Sequence, residues 1–202
     1  MRLAINWFGL ACGIMTIAMV IVTLFYPWWQ LRVGDNLVTA NVSLLNTNFK
    51  VLGTVFTVPL IYAVNVTCTL MFLLVGVTML VYSIFPSKPY SKQLLDFAYK
   101  KPLFMLIGFV FVLFVFTLLV QVVVRFNIPF VGSVTSTFNL PFTQRATVSV
   151  VISAEFYWPF WLAVAVAVLC IAARVYHRRF ATTKLGFAHV PPPPPPVELG
   201  AQ

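Results

Sequence analysis

Four long apolar runs constrain the fold of this chain more than any other feature. They cover roughly residues 6–29, 63–85, 103–124 and 155–175 of the 202-residue sequence. A bilayer core about 30 Å thick is crossed by about 20 apolar residues in a helix, so each run is long enough to span it. A backbone in lipid must satisfy its own hydrogen bonds, and each run is therefore predicted to be a transmembrane helix.

The composition agrees with a chain whose solvent is lipid. Hydrophobic residues make up 61% of the sequence and charged residues 8%, against roughly 45–50% and 25% in soluble domains. Too little polar surface remains to cover a soluble globule. The predicted fold is an all-α membrane protein: a bundle of four transmembrane helices over residues 1–180.

Cations indicate the orientation of the bundle, because segments rich in Lys and Arg stay on the cytoplasmic side. The link after the second run and the segment after the fourth hold most of them: Lys88, Lys92, Lys100, Lys101, Arg174, Arg178, Arg179 and Lys184. This pattern predicts a multi-pass plasma-membrane protein with both termini in the cytoplasm and outer loops at 30–62 and 125–154. The net charge of +9 favours contact with anionic lipid head groups. The cations are spread over several segments and do not form one basic groove, so we expect no nucleic acid partner.

Both outer loops contain residues that alternate between polar and apolar, which is typical of half-buried strands. "QLRV" and "VTANVSL" alternate on either side of Gly34, Asp35 and Asn36, which are turn formers. "NFKVLGTVFTV" at 48–58 adds a further strand, and "TQRATVSVV" at 143–151 alternates again. A lone hairpin is marginal in water, so we expect the two loops to share one small antiparallel sheet.

This layout resembles the claudin and peripheral-myelin-protein superfamily of tetraspan membrane proteins. The likeness rests on four spans, a longer first outer loop that opens on Trp28 and Trp29, a shorter second loop, and a last helix of the form "FYWPFWLAVAVAVLCIAARVY". It implies a left-handed four-helix bundle with an outer sheet and a structural or adhesive role. The family's Gly-Leu-Trp motif and pair of loop cysteines are absent from the sequence, so the resemblance assigns no functional residue.

Aromatic residues mark the predicted outer ends of two spans. Trp28 and Trp29 end the first, and Trp158 and Trp161 begin the fourth. Amphipathic rings favour the lipid–water boundary, so these four are predicted to be interface aromatics that anchor the helices. A ring platform for a ligand is the alternative.

Polar residues near the outer ends of the spans form a second candidate group: Asn65, Gln121, Arg125 and Glu155. Polar groups within a membrane are costly and usually have a partner. One interpretation is that these residues hydrogen-bond between helices and tie the sheet to the bundle. The other is a shallow polar pocket or ion pathway, with Glu155 as its charge centre and Arg125 as its partner.

The sequence lacks the residue patterns of catalysis and of metal or cofactor binding. Cys12, Cys68 and Cys170 fall within predicted spans, where cysteine usually packs as a small apolar residue. Both histidines, His177 and His189, follow the last run, and no paired carboxylates occur in a span. We therefore predict a protein that is not an enzyme and has no cofactor. Gly9 and Gly13 in "GLACG" predict a close helix contact whose partner helix stays open.

Residues 181–202 are predicted to be a disordered cytoplasmic tail. Its six prolines, Pro191 to Pro196, favour polyproline II, which binds aromatic grooves of polyproline-binding modules or serves as a stiff spacer. Three functions remain open. The first is a non-enzymatic scaffold or surface protein whose outer sheet contacts other proteins. The second is an accessory subunit of a larger respiratory or transport complex, and the third is a pore formed by several copies.

Overall fold

The computed structural model describes residues 5–86, 88, 90–124, 127–139 and 147–187. Five helices run over α1 (Trp7–Phe25), α2 (Pro59–Ile84), α3 (Ser91–Ala98), α4 (Lys100–Leu119) and α5 (Trp158–Phe187). A π-helical turn, Val120–Val124, follows α4. Six strands complete the fold: β1 (Trp29–Val33), β2 (Val38–Val42), β3 (Asn48–Val51), β4 (Thr54–Phe56), β5 (Gly132–Asn139) and β6 (Thr147–Phe156).

Four helical segments are long and apolar enough to cross a membrane: Trp7–Phe25, Pro59–Ile84, Ser91–Val123 and Trp158–Arg179. They confirm the four predicted apolar helices and mark the chain as a membrane protein. Their ends differ from the prediction. α1 ends at Phe25, because Pro27 follows and cannot continue the hydrogen-bond ladder. α5 begins at Trp158 and continues to Phe187, seven residues into the predicted tail, and the proline run lies outside the described residues.

All six strands form one antiparallel sheet in the order β4-β3-β2-β1-β6-β5. The chain enters or leaves every long helix through this sheet, which therefore sits at the end of the bundle where α1 and α4 end and α2 and α5 begin. The sheet shared by both links was predicted and is confirmed. The fold is thus a bundle of four long helices with an antiparallel sheet, and with six strands the sheet is larger than the small one that was predicted.

The hairpin of β1 and β2 forms at the predicted turn. Val33 pairs with Val38, and Gly34 and Asn36 take positive φ values of 61° and 66°. Both residue types tolerate this left-handed conformation, Gly because it lacks a Cβ and Asn because of its short polar side chain. A second turn at Leu52 and Gly53 also has positive φ and divides the predicted third strand into β3 and β4.

The core runs from the helices into the near face of the sheet. Trp28 is fully buried at the sheet end, where its ring meets Phe72, Phe109 and Phe160 edge-on at centroid distances of 6.4, 5.1 and 6.4 Å. These rings come from α2, α4 and α5, so one side chain joins three helices. Its Nε1 donates to the Thr23 hydroxyl at 3.0 Å, which satisfies the buried indole.

The opposite end of the bundle is closed by polar contacts between α1 and α2. Asn6 caps α1 by accepting from Gly9 N at 3.1 Å, and its Nδ2 donates to the Tyr82 hydroxyl at 2.7 Å. Ser83 Oγ donates to Asn6 O at 2.8 Å. At the same end, Arg174 of α5 pairs with Asp96 of α3, which fixes the link between α2 and α4 against the last helix.

The predicted glycine contact lies within the chain. A Cβ at Gly13 would be 2.7 Å from Leu80 Cγ and 3.0 Å from Gly76 O, and Gly9 faces the ring of Tyr82. The "GLACG" motif thus lets α1 approach α2 closely. The partner helix of this motif, which the sequence left open, is α2 of the same chain.

Candidate functional site

The face of the sheet that points away from the helices is polar. Side chains alternate between the two faces of a strand, so every second residue of β1, β2, β3 and β6 lies on this face. The strand registers align these residues in two rows. We call the set the polar face. Its first row is Asn48, Asn41, Gln30 and Glu155, and its second row is Lys50, Thr39, Arg32 and Ser153.

A chain of side-chain hydrogen bonds crosses the polar face. Gln30 Nε2 donates to Asn41 Oδ1, and Asn41 Nδ2 donates to Asn48 Oδ1 at 3.0 Å. Tyr157, which follows β6, donates its hydroxyl to Gln30 Oε1 at 2.8 Å. Arg32 donates to the same Gln30 oxygen and to the Tyr157 oxygen. Because each amide has its donor and acceptor engaged, the chain holds these side chains in one arrangement.

The protonation of Tyr157 supports this arrangement. Burial raises the pKa of the Tyr157 phenol above its ordinary value of 10.0. The hydroxyl therefore keeps its proton at neutral pH, and it can donate to Gln30 while it accepts from Arg32.

The charges of the polar face are unevenly paired. Arg32 Nη2 lies 4.0 Å from Glu155 Oε1, an exposed ion pair of the kind that contributes little to stability. Lys50 has no ion pair in the described part of the structure. A shallow cavity of about 430 Å³ opens beside it, lined by Arg32, Asn36 and Asn41 among others. The face thus offers a cation and several amides to a molecule that brings acceptors.

The structure separates the residues of the predicted outer polar cluster. Asn65 is buried on α2. With its amide oxygen and nitrogen exchanged, the orientation in which both find partners, Asn65 donates to Leu44 O at 3.3 Å and accepts from Thr47 N at 2.8 Å. Gln121, in the π-helical turn, donates to Ile128 O at 2.8 Å. Both tie a span to a link, as the first interpretation expects.

The position of Glu155 does not agree with the second interpretation, in which it is the charge centre of a pocket at the ends of the spans. It lies on β6 opposite Gln30, its side chain is 59% exposed, and its cationic neighbour is Arg32. No hydrogen bond or ion pair of the described residues joins Asn65, Gln121 and Glu155 to one another. Arg125 lies outside the described residues. The span predicted to start at 155 therefore begins later, and Glu155 belongs to the polar face.

The four predicted interface aromatics fall into two groups. Trp158 and Trp161 are 52% and 62% exposed, and their role as anchors at the lipid–water boundary stays a prediction. Trp28 and Trp29 are buried, and Trp29 Nε1 donates to Phe130 O at 2.9 Å. Their expected role at the lipid surface is thus corrected to one in the core.

Sequence reasoning missed a cysteine pair. Cys12 of α1 and Cys170 of α5 form a disulfide with their Cα atoms 5.8 Å apart, within the usual range for this bond. The two residues are 158 positions apart, so only the packing of α1 against α5 could reveal the pair. Cys68 is the free cysteine.

This pairing predicts the number of reactive thiols. Protein unfolded in denaturing detergent without reductant should react with maleimide once per chain, at Cys68, and three times after reduction. The Cys68→Ser variant is the matched control and should lose the unreduced reaction altogether. Three reactive thiols without reductant would show that Cys12 and Cys170 are not bonded.

The described residues offer no group of three or more His, Cys, Asp or Glu side chains that could hold a metal ion. What the polar face supplies is hydrogen-bond donors, acceptors and charge on a rigid support. Its arrangement is suited to recognition. Sequence patterning already put Gln30 with Arg32, and Thr39 with Asn41, on one side of their strands, but Tyr157 and the register of β6 gave no such signal.

No protein-family model, curated protein or solved structure matches this chain. The resemblance to the claudin superfamily therefore stays a prediction from layout.

Proposed function

We propose that this chain is a non-enzymatic tetraspan scaffold of the plasma membrane, with both termini in the cytoplasm, that binds another protein through the polar face. The observation that carries the proposal is the hydrogen-bonded chain from Tyr157 through Gln30 and Asn41 to Asn48. Side chains that are already held in place lose little conformational entropy when a partner binds, so a preordered face binds more tightly than a mobile one.

The charges on this face suggest the chemistry of the partner. Lys50 carries an uncompensated charge, and Arg32 is 44% exposed beside its carboxylate neighbour. A protein segment that presents carboxylates would satisfy Lys50 and compete with Glu155 for Arg32. Such electrostatic complementarity would speed association and reject basic partners.

A second function rests on α4. This helix lies in the segment Ser91–Val123. Of the most apolar 18 residues of that segment, 17% are buried, which is the smallest share among the four candidate spans. Phe104, Phe111 and Val112 are among its exposed side chains, at 64–66%. In an accessory subunit, these side chains would pack against the helices of other chains within the membrane, and the polar face would have no partner.

Photo-crosslinking in the native membrane distinguishes the two functions. A photoreactive residue at Ser153, which pairs with Arg32 on the polar face and leaves both cations in place, tests this face, and one at Phe111 tests α4. The matched control is Val77 on α2, which is 51% exposed. The scaffold function predicts a protein adduct at Ser153 and lipid adducts at Phe111 and Val77. Protein adducts at Phe111 without any at Ser153 would contradict it and favour the accessory subunit.

A further inference from the structure

The two edges of the sheet differ in how well they are protected against pairing. At one edge lies β4, which has only three residues. At the other lies β5, which has eight residues, Gly132–Asn139. The sequence of β5, "GSVTSTFN", contains no charge and no proline. Natural sheets usually protect a long edge with charges, proline or a bulge, because its free backbone groups can pair with another strand.

The hydrogen bonds of β6 identify which groups of β5 are free. Gly34 N donates to Val151 O at 2.8 Å, and Tyr157 N donates to Trp28 O at 2.9 Å. The odd-numbered residues of β6 thus direct their backbone groups toward β1, and the even-numbered ones direct theirs toward β5. The partners of Ala154, Ile152 and Val150 on β5 are Gly132, Val134 and Ser136.

It follows that Ser133, Thr135 and Thr137 direct their N–H and C=O groups away from the sheet. No strand of the described residues pairs with this edge. The three residues are exposed. Their side chains lie on the same side of the sheet as the polar face, since Ser133 pairs with Ser153.

We propose that β5 pairs with β5 of a second copy of this chain, antiparallel, so that two sheets join into one. A two-fold axis at Thr135 places this residue opposite its own copy and places Ser133 opposite Thr137. All of these pairs are hydroxyl pairs, which stabilise antiparallel strands. Two copies of a chain with net charge +9 repel each other. Because β5 contains no Lys or Arg, pairing of the two β5 strands brings no cations together along the contact.

This inference is independent of the partner proposed for the polar face. The self-pairing uses backbone groups at one edge, whereas the proposed function uses side chains of β1, β2, β3 and β6. Either can fail without the other.

Two proline variants test the pairing. In Thr135→Pro, the lost N–H is one that points away from the protomer, so the fold should persist while the pairing is blocked. In Val134→Pro, the lost N–H is one that bonds β6, so the protomer itself should be destabilised. We expect the wild-type chain, produced without its partner and purified in mild detergent, to have the mass of two copies. We expect Thr135→Pro to have the mass of one and to unfold at a higher temperature than Val134→Pro.

Disulfide crosslinking tests the proposed register, in which Thr135 lies opposite Thr135 of the second copy. In a Cys68→Ser background, Thr135→Cys should form a disulfide-linked dimer under mild oxidation, because residues paired in this way have Cα atoms about 5.5 Å apart. Val55→Cys, on the β4 edge and 54% exposed, is the control and should stay monomeric. The proposal is overturned by a wild-type mass of one copy, by a Thr135→Pro variant that remains a dimer, by equal crosslinking of the two cysteine variants, or by crosslinking of Thr135→Cys to a different chain.

Discussion

Replacement of Trp28 by alanine should lower the free energy of unfolding by about 3–5 kcal/mol, the range for a large aromatic side chain removed from a core. The indole is fully buried and contacts rings of α2, α4 and α5. Its loss leaves a cavity where three helices meet, and it removes the donor that bonds Thr23. The change is measured by thermal or denaturing-detergent unfolding of the purified protein in mild detergent.

The matched control is Trp161→Ala. The same side chain is removed, but Trp161 is 62% exposed on α5, so we expect a change within about 0.5 kcal/mol. Equal losses for the two variants would mean that Trp28 is not the residue that joins the helices at the sheet end.

The second large effect is expected at Gly13. In Gly13→Ala, the new Cβ would lie 2.7 Å from Leu80 Cγ and 3.0 Å from the Gly76 carbonyl oxygen. Either Leu80 must move or α1 and α2 must separate, at a cost of about 1–3 kcal/mol for an overpacked contact. The free energy of unfolding should fall by this amount in the same assay.

Gly108→Ala makes the same chemical change on α4, where a Cβ would meet no atom within 4 Å. Alanine is the better helix former, so this variant should be neutral or more stable by up to about 1 kcal/mol. Opposite signs for the two substitutions are the specific expectation. A neutral Gly13→Ala would contradict the close contact between α1 and α2.

Local patterns predicted those parts of the fold that local physics determines. The length and apolar character of the runs predicted the four long helices. The alternation around Gly34 predicted the first hairpin, because the turn residues and the two-residue period are both contained in about fifteen residues of sequence. The pairing of Gln30 with Asn41 follows from that hairpin.

Features that depend on distant contacts were not predictable in this way. Hydropathy alone cannot distinguish an apolar residue that faces lipid from one that faces the core. The sequence therefore predicts Trp28 and Trp29 to be boundary anchors, although Pro27 marks the end of the helix. β5 carries a weak hydrophobic alternation and becomes a strand through its pairing with β6. The fourth run directly follows Glu155, so the sequence predicts that this residue begins a span, whereas in the structure it pairs with Gln30 of β1 as part of the sheet.

Only part of the polar face could be predicted from the sequence. Its members on β1 and β2 follow from alternation, but the continuous hydrogen-bonded chain needs β3 and the segment after β6 to be placed beside them. These contacts join residues up to 127 positions apart.

The composition of the particle recovered from the native membrane in mild detergent tests whether the polar face binds a partner protein. Wild-type protein should co-purify with a further protein chain. The charge-reversed variant Arg32→Glu with Lys50→Glu should lose that chain by about tenfold or more, because reversed charges at an interface repel a complementary partner. The control, Lys88→Glu with Lys92→Glu at the opposite end of the bundle, should retain it. Equal recovery of the partner by all three proteins would contradict a function carried by the polar face.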